Sequence, residues 1–294
     1  MRIAVLADIH SNLRALDAVV DDIATRGVDE VVVGGDIVGR GPQGAAVVDR
    51  VRELGWPSVR GNHEDYLVAF SREEVDPDWL VSDHWNASRW MAAELGTERV
   101  DHVAGLPMEH RCVKAPELLV VHGTQSSNTE GVYAWTENER LDELVSDPGI
   151  DVLACAHTHR PLTFERPGGL IVNVGSVGLP FNADWRAQYA LFDRDAFGGW
   201  SVELRKVAYD RERFLQDYEE TGFLAAGGVT SALLYKEVEH ARPFLVPFLK
   251  WAEITEVEPN EEHMKLFLER FDPTLSMKEL WSQLQGIARK ERLG

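Results

Sequence analysis

Residues 3–12 read IAVLADIHSN: five apolar residues run straight into Asp8 and, two positions on, His10. An acid and an imidazole two apart at the end of a strand point to one face and suit a shared metal ion, although the pair alone also suits an ordinary exit from strand to loop. Further on, GGDIVGRGP puts Asp36 after a second apolar run, and RGNHE puts Asn62 and His63 after a third. VVHG puts His122 after a later run, and CAHTHRP puts His157 and His159 after the next. Ligands of open α/β sheets gather where strands end, so these side chains are expected to converge. Two carboxylates, one amide and four imidazoles, with His63 left over, can build two adjacent metal sites. A bridging carboxylate can hold two ions ~3.5–4 Å apart. Such nitrogen and oxygen donors suit Mn, Fe, Zn, Co or Ni without selecting among them. Each fragment alone has a bland explanation; five of them in order at strand ends are hard to produce by chance.

The stretches between these segments determine how they are held. RIAVLA reads as a buried strand, and NLRALDAVVDDIATRG has apolar residues at helical spacing with a stop at Gly27. EVVVGG reads as a second strand, AAVVDRVRELG as a second helix and PSVRG as a short third strand. A β-α-β-α-β start predicts an α/β fold with parallel strands near the N-terminus. Residues 64–106 turn helical and aromatic, with Trp79, Trp85 and Trp90. The plain expectation is packing; the sharper one is a small helical cap beside the site, and the two are compatible. LLVVHG, DVLACAHTH, GLIVNVGSVG, AQYALFD and WSVELRKVAY are closely spaced strands that fit an antiparallel or mixed second sheet. After Ala208 come charged helices broken near Gly227, Gly228, Pro243, Pro259 and Pro273. The expected division is a catalytic domain over residues 1–208, with the cap at about 64–106, and a helical extension over 209–294.

The 294 residues carry a formal net charge of −19 and two cysteines, Cys112 and Cys155, in no paired spacing. So acidic a chain repels phosphate backbones, which disfavours long nucleic acid as a partner. The cysteine usage fits a reducing cytoplasm, and no apolar segment reaches membrane-spanning length without charges. A homo-oligomer is left open.

The series D-x-H, G-D, G-N-H-E, H and H-x-H resembles the calcineurin-like metallophosphoesterase superfamily over about residues 1–205. ADIHSN, GGDIVGRGP, RGNHE, VVHG, AHTHRP and NVGSVG match in order. VNVGSVGLPFNADWRAQYALFD is similar to the small prokaryotic YfcE-like or archaeal-type phosphodiesterase branch. HWNASRWMAAEL followed by GLP is similar to the helical insert of those relatives. The resemblance implies an αββα four-layer sandwich of two mixed sheets flanked by helices, with the site at the strand ends. It implies one ion on Asp8, His10, Asp36 and His159, and a second on Asp36, Asn62, His122 and His157, with Asp36 as the bridge. Mn is the first choice of metal. His63 would stand just outside, as general acid or as a donor to a phosphoryl oxygen.

Two such ions activate a water for direct in-line attack on the phosphorus of a small phosphodiester or phosphomonoester. Arg40 and Arg60 invite comparison with the serine/threonine phosphatase branch, as GDIVGRG and RGNHE do, and could grip phosphate; either could equally form a surface ion pair. Gly39 departs from that branch, which places there an acid that orients the histidine. A protein phosphatase or dinucleoside polyphosphate hydrolase is thus the second enzymatic reading. A non-catalytic metal-binding scaffold with a partner-recruiting tail is the rival from another class. Asn12 is expected to cap a helix starting at Leu13. Tyr133 and Trp135 are candidates for the pocket rim.

Overall fold

The computed structural model describes residues 1–275 and positions 279, 282 and 286; the rest of the expected 209–294 extension lies outside the described residues. The chain opens with β1 (Arg2–Leu6), α1 (Leu13–Ala24), β2 (Glu30–Val33) and α2 (Gly44–Leu54). Next come α3 (Asn62–Ser71), α4 (Asn86–Leu95) and α5 (Thr97–Ala104). Then follow β3 (Glu109–Cys112), β4 (Ala115–Val121), α6 (Asn138–Leu144), β5 (Val152–Cys155), β6 (Leu162–Arg166), β7 (Gly169–Asn173), β8 (Ala187–Arg194) and β9 (Trp200–Val207). Five helices close the described chain: α7 (Arg211–Glu220), α8 (Phe223–Ala226), α9 (Gly228–His240), α10 (Leu245–Thr255) and α11 (Glu261–Leu268).

The strands form two mixed sheets, ordered β2-β1-β8-β9 and β3-β4-β5-β7-β6. Side-chain alternation along β1 explains why its run from Ile3 to Leu6 is apolar. Ile3 and Val5 point to one face and join Val120, Val152, Ala154, Val172 and Phe192 in the core between the sheets. Ala4 and Leu6 point the other way, into the core with Leu16, Val19 and Ile23 of α1 and Val47 of α2. Leu119, Val121, Leu153 and Cys155 pack outward on Leu141 and Leu144 of α6. The result is the helix-sheet-sheet-helix sandwich. Both cysteines are free and buried. Among the described residues no helix is long and apolar enough to cross a membrane.

Local signals set the helix ends. The Asn12 side chain accepts from the Ala15 amide and starts α1, while Gly55, left-handed at φ 65°, ends α2. PSVRG forms no strand: only a bridge from Ser58 to Val33 extends the first sheet, because Pro57 has no amide to donate and the chain turns into α3 at Asn62.

Helices α3 to α5 fall in the stretch near 64–106 expected to be helical. Val100, Met91 and Leu95 of the insert share one core with Phe214, Tyr218, Phe223, Leu234 and Val238 from the chain after Ala208. Trp90 lies against Phe223 with ring centroids 4.9 Å apart, and Trp79 stacks on Trp85 at 4.3 Å. Phe244, Phe248, Trp251 and Phe267 form a smaller core of their own.

Candidate metal centre

Asp8, His10, Asp36, His122, His157 and His159 lie just past strand ends as expected, whereas Asn62 and His63 open α3 instead, and strand alternation is not what gathers the group. β1 stops at Leu6, and Asp8 and His10 lie beyond it with φ of 52° and 49°. Asp36, Arg40, His157 and His159 also have positive φ, at 49°, 60°, 65° and 56°. Left-handed backbone at a residue with a side chain costs energy and persists only where surroundings impose it. Here the imposition is visible. Asp8 N donates to Gly35 O, His10 N to Asp36 O and Ser11 N to Ile37 O, all at 3.0 Å, so the two loops zip together past the end of the β1–β2 ladder. Ser176 Oγ and the Gly178 amide close on Asp8 O at 2.8 and 2.9 Å.

Asp8, His10, Asp36 and His159 each bring a donor atom within 4.8 Å of the others, and all four are buried. Asn62, His122 and His157 form a second set beside them. Asn62 Oδ1 is 3.1 Å from His122 Nε2 and 2.8 Å from His157 Nδ1. Asp36 Oδ2 lies 3.3 Å from His122 Nε2 and 3.6 Å from His10 Nε2, and so belongs to both groups. All seven expected ligands are thereby brought together.

The donor set fits cations on physical grounds. The His10, His159 and His122 Nδ1 atoms face the carbonyls of Val38, Leu179 and Gly34 at 3.3, 2.6 and 2.9 Å. A carbonyl can only accept, so each Nδ1 carries a proton; in the neutral His10 and His159 rings that leaves an Nε2 lone pair turned inward. Neither oxygen of Asp8, which is fully buried, has a hydrogen-bond partner. An orphaned carboxylate and converging lone pairs are costly unless positive charge sits among them. Burial holds His10 and His159 well below the usual imidazole range and, with His122, lowers His157 to about 4, so these rings are neutral and ready to ligate. Burial also pushes Asp8 well above the carboxylate range. Burial opposes charge on His122, but Asp36 outweighs it and pushes the ring up to about 10; Asp36 in turn is held well below its usual range by His122 and His63 despite burial.

His63 stands outside both groups, its ring 4.9 Å from that of His10. Its Nε2 accepts from Arg40 Nε at 3.1 Å, and burial with Arg40 lowers the ring to about 3 against the pull of Asp36. Gly39 has φ 83°, and a Cβ there would come within 2.6 Å of His63 Nδ1. Arg60 does not reach the cluster: it donates to Ala104 O at 2.9 Å and pairs with Asp65 at 3.2 Å, tying the insert to its root. Tyr133 stacks on Trp135 at 4.8 Å.

Sequence reasoning gave no role to Glu64. This buried carboxylate accepts from the amides of Asp36 (2.9 Å), Val38 (3.1 Å) and Gly61 (2.7 Å), stitching the Asp36 loop to the start of α3. Its spacing from Gly61, three residues into the helix, is the available signal.

Comparison with known proteins agrees with this geometry. Residues 1–196 match the model of the calcineurin-like phosphoesterase superfamily domain. An uncharacterised protein of Methanocaldococcus jannaschii is 29% identical over 71% of this chain and 88% of its own. Phosphodiesterase YfcE of Escherichia coli K12 is 25% identical over 66% of this chain and 89% of its own. A metallophosphoesterase from Sphaerobacter thermophilus superposes with a TM-score of 0.64 at 28% identity, covering 82% of this chain and 99% of its own. The chain belongs to the calcineurin-like phosphoesterase superfamily and is a metal-dependent phosphoric ester hydrolase.

Proposed function

We propose that this enzyme hydrolyses a small phosphodiester or phosphomonoester with two divalent cations, Mn first among Mn, Fe, Zn, Co and Ni. Asp8, His10, Asp36 and His159 would hold one ion; Asp36, Asn62, His122 and His157 would hold the other. The observation that carries this reading is the position of Asp36 Oδ2, 3.3 Å from His122 Nε2 and 3.6 Å from His10 Nε2, between the two donor sets. Bound divalent cations supply an acidified water and positive charge against the phosphoryl oxygens. The chain's own residues do the rest. Arg40 meets non-bridging oxygens of the substrate. His63, beside it, moves a proton to the leaving oxygen, the substrate's negative charge raising the ring against burial and Arg40. The name of the E. coli relative supports the diester side of the reading. The same reading separates a catalytic domain, residues 1–208, from the extension after it. Two buried, unpaired cysteines support a cytoplasmic setting.

The test combines elemental analysis with a panel of a phosphodiester, a phosphomonoester, a phosphopeptide and a dinucleoside polyphosphate. The expected result is two metal equivalents per chain and turnover on the diester or monoester. Asp36→Asn loses both metals and turnover together. One equivalent in the wild type, or full turnover in Asp36→Asn, overturns the shared-ligand arrangement.

A further inference from the structure

Arg40 is held from three sides, and two of them come from the chain after Ala208. Its Nε donates to His63 Nε2 at 3.1 Å. Its Nη1 donates to Glu237 Oε2 of α9 at 2.9 Å. Its main-chain carbonyl accepts from the hydroxyl of Tyr218, on α7, at 2.6 Å. Arg40 has the left-handed backbone noted above, so it needs such restraint to stay in place.

Glu237 is built for this contact. It is fully buried, yet it lies in a helix of an acidic protein where an exposed glutamate would cost nothing. Its two oxygens have separate tasks. Oε1 accepts from the amides of Phe244 and Leu245 at 2.8 and 2.9 Å, which fixes the carboxylate against the start of α10. Oε2 is left for Arg40. A carboxylate fixed on one side by two amides is a rigid anchor for a guanidinium on the other. A second ion pair, Arg14 with Asp217 at 2.5 Å, docks α7 on α1 beside the same loop. With Nε and Nη1 engaged, Nη2 of Arg40 is the end of the fork that remains to meet a ligand.

We infer that the helical extension is a working part of the catalytic site, with Glu237 and Tyr218 as positioning residues that present Arg40 to the phosphoryl group. The inference rests on the reading of Arg40 as the residue that meets phosphoryl oxygens. It gives the extension a function that a plain stabiliser of the fold lacks. It also ties this site to residues that lie beyond the stretch matched by the superfamily domain.

A double-variant cycle tests it on the metal-loaded full chain. Wild type, Arg40→Ala, Glu237→Gln and the combined variant are compared for inorganic phosphate affinity by calorimetry, for kcat and KM on the best ester, and for metal content. Glu237→Gln is expected to keep its metals and weaken phosphate binding and kcat/KM on the order of tenfold. In the Arg40→Ala background the same change is expected to cost nothing further, because Glu237 acts through Arg40. Losses that multiply in the combined variant, or wild-type phosphate affinity in Glu237→Gln, overturn the inference. Should Glu237→Gln not fold, Tyr218→Phe removes the second tether with the ring kept, and the same cycle is read on it. Phosphate binding needs no turnover, so the two readings fail separately. Glu237-dependent binding by a protein inert toward every ester sinks the hydrolytic reading alone, whereas wild-type phosphate affinity in Arg40→Ala sinks the role of Arg40 and this inference with it.

Discussion

The Nε2 atoms of His10 and His159 face each other at 3.0 Å, and the opposite nitrogen of each ring is turned to a main-chain carbonyl. With both protons directed outward, the two lone pairs meet head-on beside the unpartnered carboxylate of Asp8. A cation beside them would give both nitrogens and the carboxylate a partner.

Stripping the metals with a chelator is expected to lower the melting temperature. At free metal a hundredfold above Kd, the stabilisation is about 2.7 kcal/mol per site. Asp8→Asn separates the two forces with opposite signs. In the chelated protein it replaces a buried carboxyl that has no hydrogen-bond partner and whose ionised form burial opposes, and is expected to stabilise by about 1–3 kcal/mol. In the presence of metal it removes a ligand, and the metal-induced gain in melting temperature shrinks. Calorimetric melts of both proteins with and without chelator check this; a chelated Asp8→Asn that melts well below the chelated wild type contradicts it.

Gly39 leads to a second prediction. A methyl group at this position meets the His63 ring at 2.6 Å, on a backbone with φ 83° that side chains rarely adopt. Gly39→Ala is expected to destabilise the loop by about 1–3 kcal/mol and displace His63. Metal content is expected to stay at the wild-type value, because the nearest atoms to the added methyl belong to His63 and to none of the seven proposed ligands. Turnover falls toward that of His63→Ala, with the largest loss for poor leaving groups, on the order of a hundredfold for a lost proton transfer. Steady-state kinetics on esters graded by leaving-group pKa measure it. Equal losses across the series show that His63 transfers no proton. The same lack of space explains why Gly39 cannot be replaced by an orienting acid of the protein-phosphatase kind without remodelling the loop.

The sequence displayed the seven ligand types and their order because a metal site needs particular donors, and donors are written in residue identity. It displayed the two-sheet core for a similar reason: β1 is buried on both faces from Ile3 to Leu6, so that run is apolar. What it concealed was geometry imposed from a distance. The left-handed backbone at Asp8, His10 and Asp36 has only a weak local signature, since Asp and His enter that region more often than most residues but still seldom; what imposes it here is the zipper of the β1 and β2 loops. PSVRG had a strand's composition but only one bridging residue. Glu237 lies 197 positions from Arg40, and no spacing rule links two residues that only the docked extension brings into contact.

Away from the site, Asp22 provides a test of the sandwich itself. It sits on α1 with little exposure and accepts from Arg26 at 2.6 Å, Tyr189 of β8 at 2.6 Å and Arg205 of β9 at 3.1 Å. Burial raises its pKa, but the bonds from Arg26, Tyr189 and Arg205 outweigh burial and hold it below the usual value. A carboxylate with a lowered pKa in the folded state stabilises the fold above its unfolded value of about 3.9, and that stabilisation is lost as the pH falls through the folded value. Asp22→Asn is therefore expected to cost about 1–3 kcal/mol at neutral pH. Denaturant melts of metal-free protein at pH 7, 5 and 3 should show the gap between wild type and variant unchanged from 7 to 5 and narrowing at 3. A gap that stays constant down to pH 3 means that the charge of Asp22 does not hold α1 to the sheet.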